Sequence, residues 1–167
     1  MGKTVGFLIR LTQPSLHRKN VTLDSGFCVL KGIVELKKRG VYASALIKKR
    51  RYWPKYINGD EIKLEFEQKE VGDCDALPGE LDGVPFHIFA MKEPDYVMMM
   101  MSTYSTLDTH SQRETSRCWK ESDGTVKRKN FKYPEVVDNH FLFRHAVDDH
   151  NLRRHAPISF EQIWGTK

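Results

Sequence analysis

Asp24 ends a short strand-like run, Asn20-Val-Thr-Leu-Asp24, and stands where that run gives way to a helix-like segment. In open α/β sheets, groups at the carboxyl ends of strands line the ligand crevice. A carboxylate there can hold a divalent cation, a hard ion that prefers oxygen ligands. It can equally cap the following helix by acting on the dipole. A second acidic candidate lies late in the chain. On a helix running from Asp138 or Asn139 to about His155, Asp148 shares an angular sector with Phe141, Arg144, Asn151, Leu152 and His155. Asp149 sits one step round, beside Leu142, Ala146 and Arg153, and periodicity does not choose between the two acids.

The run Lys48-Lys49-Arg50-Arg51-Tyr52-Trp53-Pro54-Lys55 places five cations and two aromatics directly after a strand-like segment. Cations neutralise phosphates and release counterions, while Trp53 or Tyr52 can stack on an unpaired base. A nuclear-import peptide and a solvated loop are the other readings. Lys127-Arg128-Lys129 with Lys132 is a weaker second cluster. His140, His145, His150 and His155 recur every five residues, which on a helix advances each imidazole by about 140° and prevents convergence on one metal. Gly2-Lys3-Thr4 lacks the upstream glycine of a phosphate-binding loop.

The elements that must position these groups belong to one globular domain. The chain has 167 residues, 40% hydrophobic and 29% charged, a composition far from that of disordered chains. Its net charge of +5 hides a segmentation. Residues 1–57 carry 13 Lys and Arg against 2 Asp and Glu, residues 58–110 carry 3 against 12, and residues 111–167 carry 11 against 8. Such layout suits a face for a polyanion beside a surface that avoids one, or two zones that attract each other. The longest apolar run, Val97 to Met101, is far too short to span a bilayer, and no leader follows Met1. The expectation is a soluble, intracellular protein with no membrane partner. Cys28, Cys74 and Cys118 form no disulfide or zinc pattern, which fits a reducing compartment.

Thr4 to Thr12 reads as a helix ended by Pro14, with a strand as the alternative that its β-branched residues leave open. After the strand at 20–24, Ser25 is a good N-cap, and Phe27, Leu30, Ile33, Val34 and Leu36 predict a helix over about 26–39 that Gly40 closes. Val41 to Ile47 reads as a strand, giving a strand-helix-strand unit with a parallel pair. Ile62, Leu64 and Phe66 alternate with Lys63, Glu65 and Glu67 and predict a half-wet strand. Val84 to Met91 and Tyr96 to Met101 predict a hairpin, so the middle third reads as antiparallel. Residues 108–130 read as an exposed connection with a turn at Ser122-Asp123-Gly124.

The ordered set Val21-Thr-Leu-Asp24-Ser-Gly-Phe27, Arg39-Gly40-Val41, Ile47-Lys48-Lys49-Arg50 and Trp53-Pro54 resembles the catalytic core of piggyBac transposases and their domesticated derivatives. The stretch Asn139-His140-Phe141, Arg144-His145-Ala146-Val147-Asp148-Asp149-His150-Asn151, Arg154 to Ser159 and Trp164 resembles that family's third-carboxylate region. The likeness covers nearly the whole chain and is weakest in the acidic middle.

The resemblance implies an α/β fold with a ribonuclease-H-like core, whose three aspartates bind Mg2+ or Mn2+ and cleave and join DNA. Asp24 corresponds to the second aspartate and Asp148 to the third, as catalytic and metal-binding residues. Lys48, Lys49, Arg50, Arg51, Trp53 and Lys55 become the DNA-binding set. The first aspartate has no counterpart, so the expectation is a middle fragment of the catalytic domain. Its core is incomplete, with strand-helix-strand at 1–57, a β-rich acidic insertion and connection at 58–130, and a C-terminal helix bearing the third carboxylate at 131–167. With two carboxylates a metal pair would be under-ligated, and the chain alone is expected to be inactive. An unpaired sheet edge would favour self-association or pairing with a full-length transposase chain. The nucleus is the expected compartment. A domesticated DNA-binding module without chemistry, and a translated relic without function, are the alternative readings.

Overall fold

The computed structural model describes residues 2–12, 20–48, 57–104 and 110–144. Helix α1 spans Lys3–Thr12, strand β1 Asn20–Leu23, helix α2 Leu30–Lys38 and strand β2 Tyr42–Leu46. Helix α3 (Gly59–Glu67), strands β3 (Cys74–Leu81), β4 (Val84–Lys92) and β5 (Val97–Ser102) follow. Strands β6 (His110–Lys120) and β7 (Val126–Pro134) lead into helix α4 (Glu135–Phe143). Five strands form one sheet in the order β1-β2-β5-β4-β3, and β6 and β7 form a separate two-stranded ribbon. Among the described residues, no helix is long and apolar enough to cross a membrane.

The strand-helix-strand expectation holds: β1 and β2 are parallel, with Val21 beside Ala43 and Leu23 beside Ala45. Helix α2 covers one face of the sheet, burying Ile33 and Leu36 against Ala43, Ala45, Ile88 and Met101. It closes as Gly40 takes a φ of 78°, while the N–H groups of Gly40 and Val41 donate to the carbonyls of Lys37 and Leu36. This paired arrangement satisfies carbonyls that the helix end would otherwise leave bare. Helix α1 buries Val5, Leu8 and Thr12, three positions on one helical face. It lies so close to α2 that a Cβ on Gly32 would stand 3.0 Å from Leu8 Cδ1.

Strands β3, β4 and β5 run antiparallel, as expected for the middle third. They hydrogen-bond directly into the sheet that holds β1 and β2. The four-methionine run is explained by burial on both faces. Met101 joins the core under α2, whereas Met98 and Met100 join Phe89, Tyr133, Val136 and Val137 beneath α4. A strand covered on both sides needs continuous apolarity instead of alternation.

Four local expectations are corrected. The helix predicted over 26–39 begins at Leu30, because Ser25–Phe27 form a 3-10 turn in which Asp24, not Ser25, accepts from the Gly26 N–H. Val29 then enters α2 in extended backbone with no side-chain cap. Residues 62–67 are helical. Ile62 and Phe66, four apart, form the stripe that packs on Ala90 and Val97, and Leu64 is left 63% exposed. Asn58 accepts from the Asp60 N–H, acids occupy the first turn, and Lys63–Glu67 and Glu65–Lys69 pair at i,i+4. These local terms outweigh a three-residue alternation.

Residues 110–134 form the β6–β7 ribbon instead of a connection, with the expected turn at Ser122-Asp123-Gly124 between its strands. Its polarity arises because one face of a two-stranded ribbon is fully wet. Helix α4 starts at Glu135, three residues before the expected cap, directly after Pro134, whose fixed φ suits a helix entry. The remainder of the predicted helix, 145–155, lies outside the described residues.

Candidate functional site

Because β1 and β2 are parallel, their carboxyl ends open on the same side, where α/β sheets place ligands. A cleft of 620 Å3 lies there, with Thr22, Leu23 and Asp24 from the end of β1, Leu46 and Lys48 from the end of β2, and Met98 from β5. Helix α4 closes it with His140, Phe141 and Arg144. Strand pairing therefore puts Asp24 and Lys48 on one cleft wall, and docking of α4 on Met98 and Met100 brings in the helical residues.

Asp24 is exposed. Its carboxylate accepts from Gly26 N at 3.5 Å and from Ser25 Oγ at 3.4 Å. Both contacts are long for charge-assisted bonds, and a carboxylate has about four acceptor positions. Capping of the 3-10 turn thus leaves most of the Asp24 coordination capacity for a ligand. Lys48 is also exposed, and both ionic heads can meet an incoming molecule.

His140 is buried, and its Nδ1 has no hydrogen-bond partner among the described residues. Burial lowers its pKa below the ordinary histidine value, and the charges of Arg144 and Lys48 lower it further against the opposing pull of Asp24. His140 lines the same cleft as Asp24, Lys48 and Arg144. The Arg144 guanidinium lies 4.9 Å from the Phe141 ring centroid, a cation–π contact that holds it at the cleft wall.

Of the residues singled out from the sequence, Asp24 and Lys48 share this cleft. Lys49, Arg50, Arg51, Trp53, Lys55, Asp148 and Asp149 lie outside the described residues. His140 and Arg144 were not recognised as cleft residues from the sequence. Their signal was the i,i+4 spacing, which puts both on one face of α4, but which strand end that face would meet was not readable locally. Among the described residues, no group of three His, Cys, Asp or Glu side chains could hold a metal ion. Cys28, Cys74 and Cys118 are free.

The family model described as Transposase IS4 matches residues 1–166. No curated protein and no solved structure matches the chain.

Proposed function

The chain belongs to the Transposase IS4 family of DDE transposases, and on that premise we propose that the cleft at Asp24 is the metal-facing side of a piggyBac-like catalytic core that acts on DNA. DNA cleavage and transposition are the chemistry of the family, and its members generally use divalent metals. The single observation that carries the reading is the position of Asp24, exposed at the carboxyl end of a parallel strand in a cleft shared with Lys48 and α4. The piggyBac affinity rests on the ordered motifs around Asp24 and Asp148. The mixed five-stranded sheet with helices on both faces is consistent with a ribonuclease-H-like core.

The described residues fit such an ion in kind, since Asp24 offers hard oxygens, and fall short in number. In this reading Asp148 is the companion acid. It follows Arg144 by four positions in the sequence, and α4 lines the same cleft as Asp24. Bound Mg2+ or Mn2+ would supply positive charge to the phosphate oxygens. Lys48, with Lys49, Arg50, Arg51 and Lys55, would neutralise the phosphate backbone, and Trp53 would stack on an unpaired base. Asp24 and Asp148 are two of the three aspartates that the resemblance assigns, and two carboxylates without the third would leave a metal pair under-ligated. β1 pairs only with β2 among the described strands, which supports association with another copy or a longer transposase chain. The basic run at 48–51 also suits nuclear import.

Titration with Mn2+, followed by paramagnetic broadening of amide NMR signals, tests the metal assignment. Broadening of residues 23–27 that disappears in Asp24→Asn and weakens in Asp148→Asn supports it. Broadening that is absent, or that survives Asp24→Asn, overturns it. Tight, salt-sensitive DNA binding without metal affinity would favour the non-catalytic module.

A further inference from the structure

The β6–β7 ribbon divides its charge between two faces. Directly paired residues share a face and successive residues alternate, and the register pairs Arg117 with Lys129, Trp119 with Lys127, Cys118 with Arg128 and Lys120 with Val126. Odd-numbered positions form the other, partly covered face, where every cation has an acid. Arg117 Nε lies 2.8 Å from Glu93 Oε2, Lys127 pairs with Glu121 at 2.6 Å, and Lys129 pairs with Glu70 at 3.0 Å.

The even-numbered face is different. All its positions from 114 to 120 and from 126 to 132 are exposed. It carries Lys120, Arg128 and Lys132, none with an ion pair among the described residues, against the single acid Glu114, which faces Lys132 across the strands. Ser116 and Asn130 sit opposite each other at its middle. Arg128 Nε donates to Ser116 Oγ at 2.9 Å, which uses one of five guanidinium donors and holds the side chain along the face. A face that served solubility alone would mix the two signs, and clustered like charges cost stability.

From this partition we propose that the even-numbered face of the β6–β7 ribbon is a second DNA-contact surface, which seats on the sugar-phosphate backbone of duplex DNA. The identity of the partner as DNA rests on the transposase reading; the surface itself rests on the ribbon. Residues two apart on one strand are spaced about 6.8 Å, twice the axial rise per phosphate along one DNA strand. Lys120, Arg128 and Lys132 would neutralise phosphates, while Ser116 and Asn130 add neutral hydrogen bonds that position the backbone without reading sequence.

The test compares three forms of the chain on a random-sequence duplex across a salt series. They are wild type, the ribbon variant Lys120→Gln/Arg128→Gln/Lys132→Gln, and a charge-matched control, Lys3→Gln/Lys31→Gln/Lys63→Gln, altered at exposed positions on α1, α2 and α3. Each phosphate contact contributes about one to the slope of log K against log salt. The ribbon variant should lose about three from that slope and bind about tenfold or more weakly at low salt, while the control stays near wild type. Circular dichroism and melting should be unaffected, since the altered side chains are exposed. A ribbon variant that matches wild type, or a control that weakens equally, overturns the proposal while leaving the transposase reading intact. Failure of wild type to bind duplex DNA overturns both.

Discussion

Tyr133 donates its hydroxyl hydrogen to Glu93 Oε1 across 2.7 Å, and by that bond the end of the ribbon is fastened to the turn between β4 and β5. Glu93 is only 2% exposed. Arg117, from β6, takes the other carboxylate oxygen, and its guanidinium lies over the rings of Tyr133 and Phe141. One buried acid thus gathers both ribbon strands and α4 onto the sheet, and it is this junction that holds α4 over the cleft. Burial, followed by the hydrogen bond to Glu93 and that acid's charge, raises the Tyr133 pKa well above that of free tyrosine.

Removing one partner of a buried charge pair leaves the other uncompensated. Arg117→Ala should therefore cost about 3 kcal/mol or more, whereas Tyr133→Phe, which deletes one hydrogen bond to a charged group, should cost about 1.5–3 kcal/mol. Urea denaturation checks both values. A loss below about 0.5 kcal/mol for Arg117→Ala would mean that Glu93 does not depend on it.

His140 gives the stability a pH dependence of known sign. Its folded-state pKa lies below the reference value of 6.5, so the unfolded chain binds the proton more readily than the native chain. Its stability contribution is intact above pH 6.5, begins to fall as pH drops below that value, and is gone once the folded pKa is passed. Melting temperatures of wild type and His140→Leu between pH 7.5 and 5 should diverge, with the variant showing the flatter profile. Parallel profiles would refute the assignment.

Asp24 separates a capping role from a ligand role. Its two contacts measure 3.4 and 3.5 Å, so Asp24→Ala should cost less than the roughly 1 kcal/mol of an ordinary N-cap. A loss near 2 kcal/mol in thermal or chemical denaturation would show that the carboxylate is committed to the turn.

The cysteines should react in a fixed order. Cys118 is exposed, whereas burial pushes the thiol pKa of Cys28 and Cys74 up to about 12. Thiolate is the reactive form. Mild alkylation of the native chain should label Cys118 alone, and denaturant should release the other two. Mass spectrometry that finds Cys28 modified first would contradict the packing beneath α2.

The strand-helix-strand unit at 20–46 and the β4–β5 hairpin were legible because each is specified by neighbours in sequence: an apolar stripe, a run of cations before Gly40, and two apolar segments around Glu93-Pro94-Asp95. Helix α3 carries an ambiguous pattern, because Ile62, Leu64 and Phe66 satisfy a two-residue period as well as Ile62 and Phe66 satisfy a helical one. The Asn58 cap and the i,i+4 ion pairs favoured the helix, and the apolar surface at Ala90 and Val97 gave its Ile62–Phe66 stripe a partner. The same division runs through the site. The residue types that bind metal and phosphate, and the basic run after β2, belong to the sequence by itself. That His140 and Arg144 share a cleft with Asp24 and Lys48 was decided by tertiary structure alone, because α4 is carried to that strand end by contacts with Met98, Met100 and the Glu93 junction, far away along the chain. Periodicity reports which face of an element is apolar; it carries no information on the partner that covers that face.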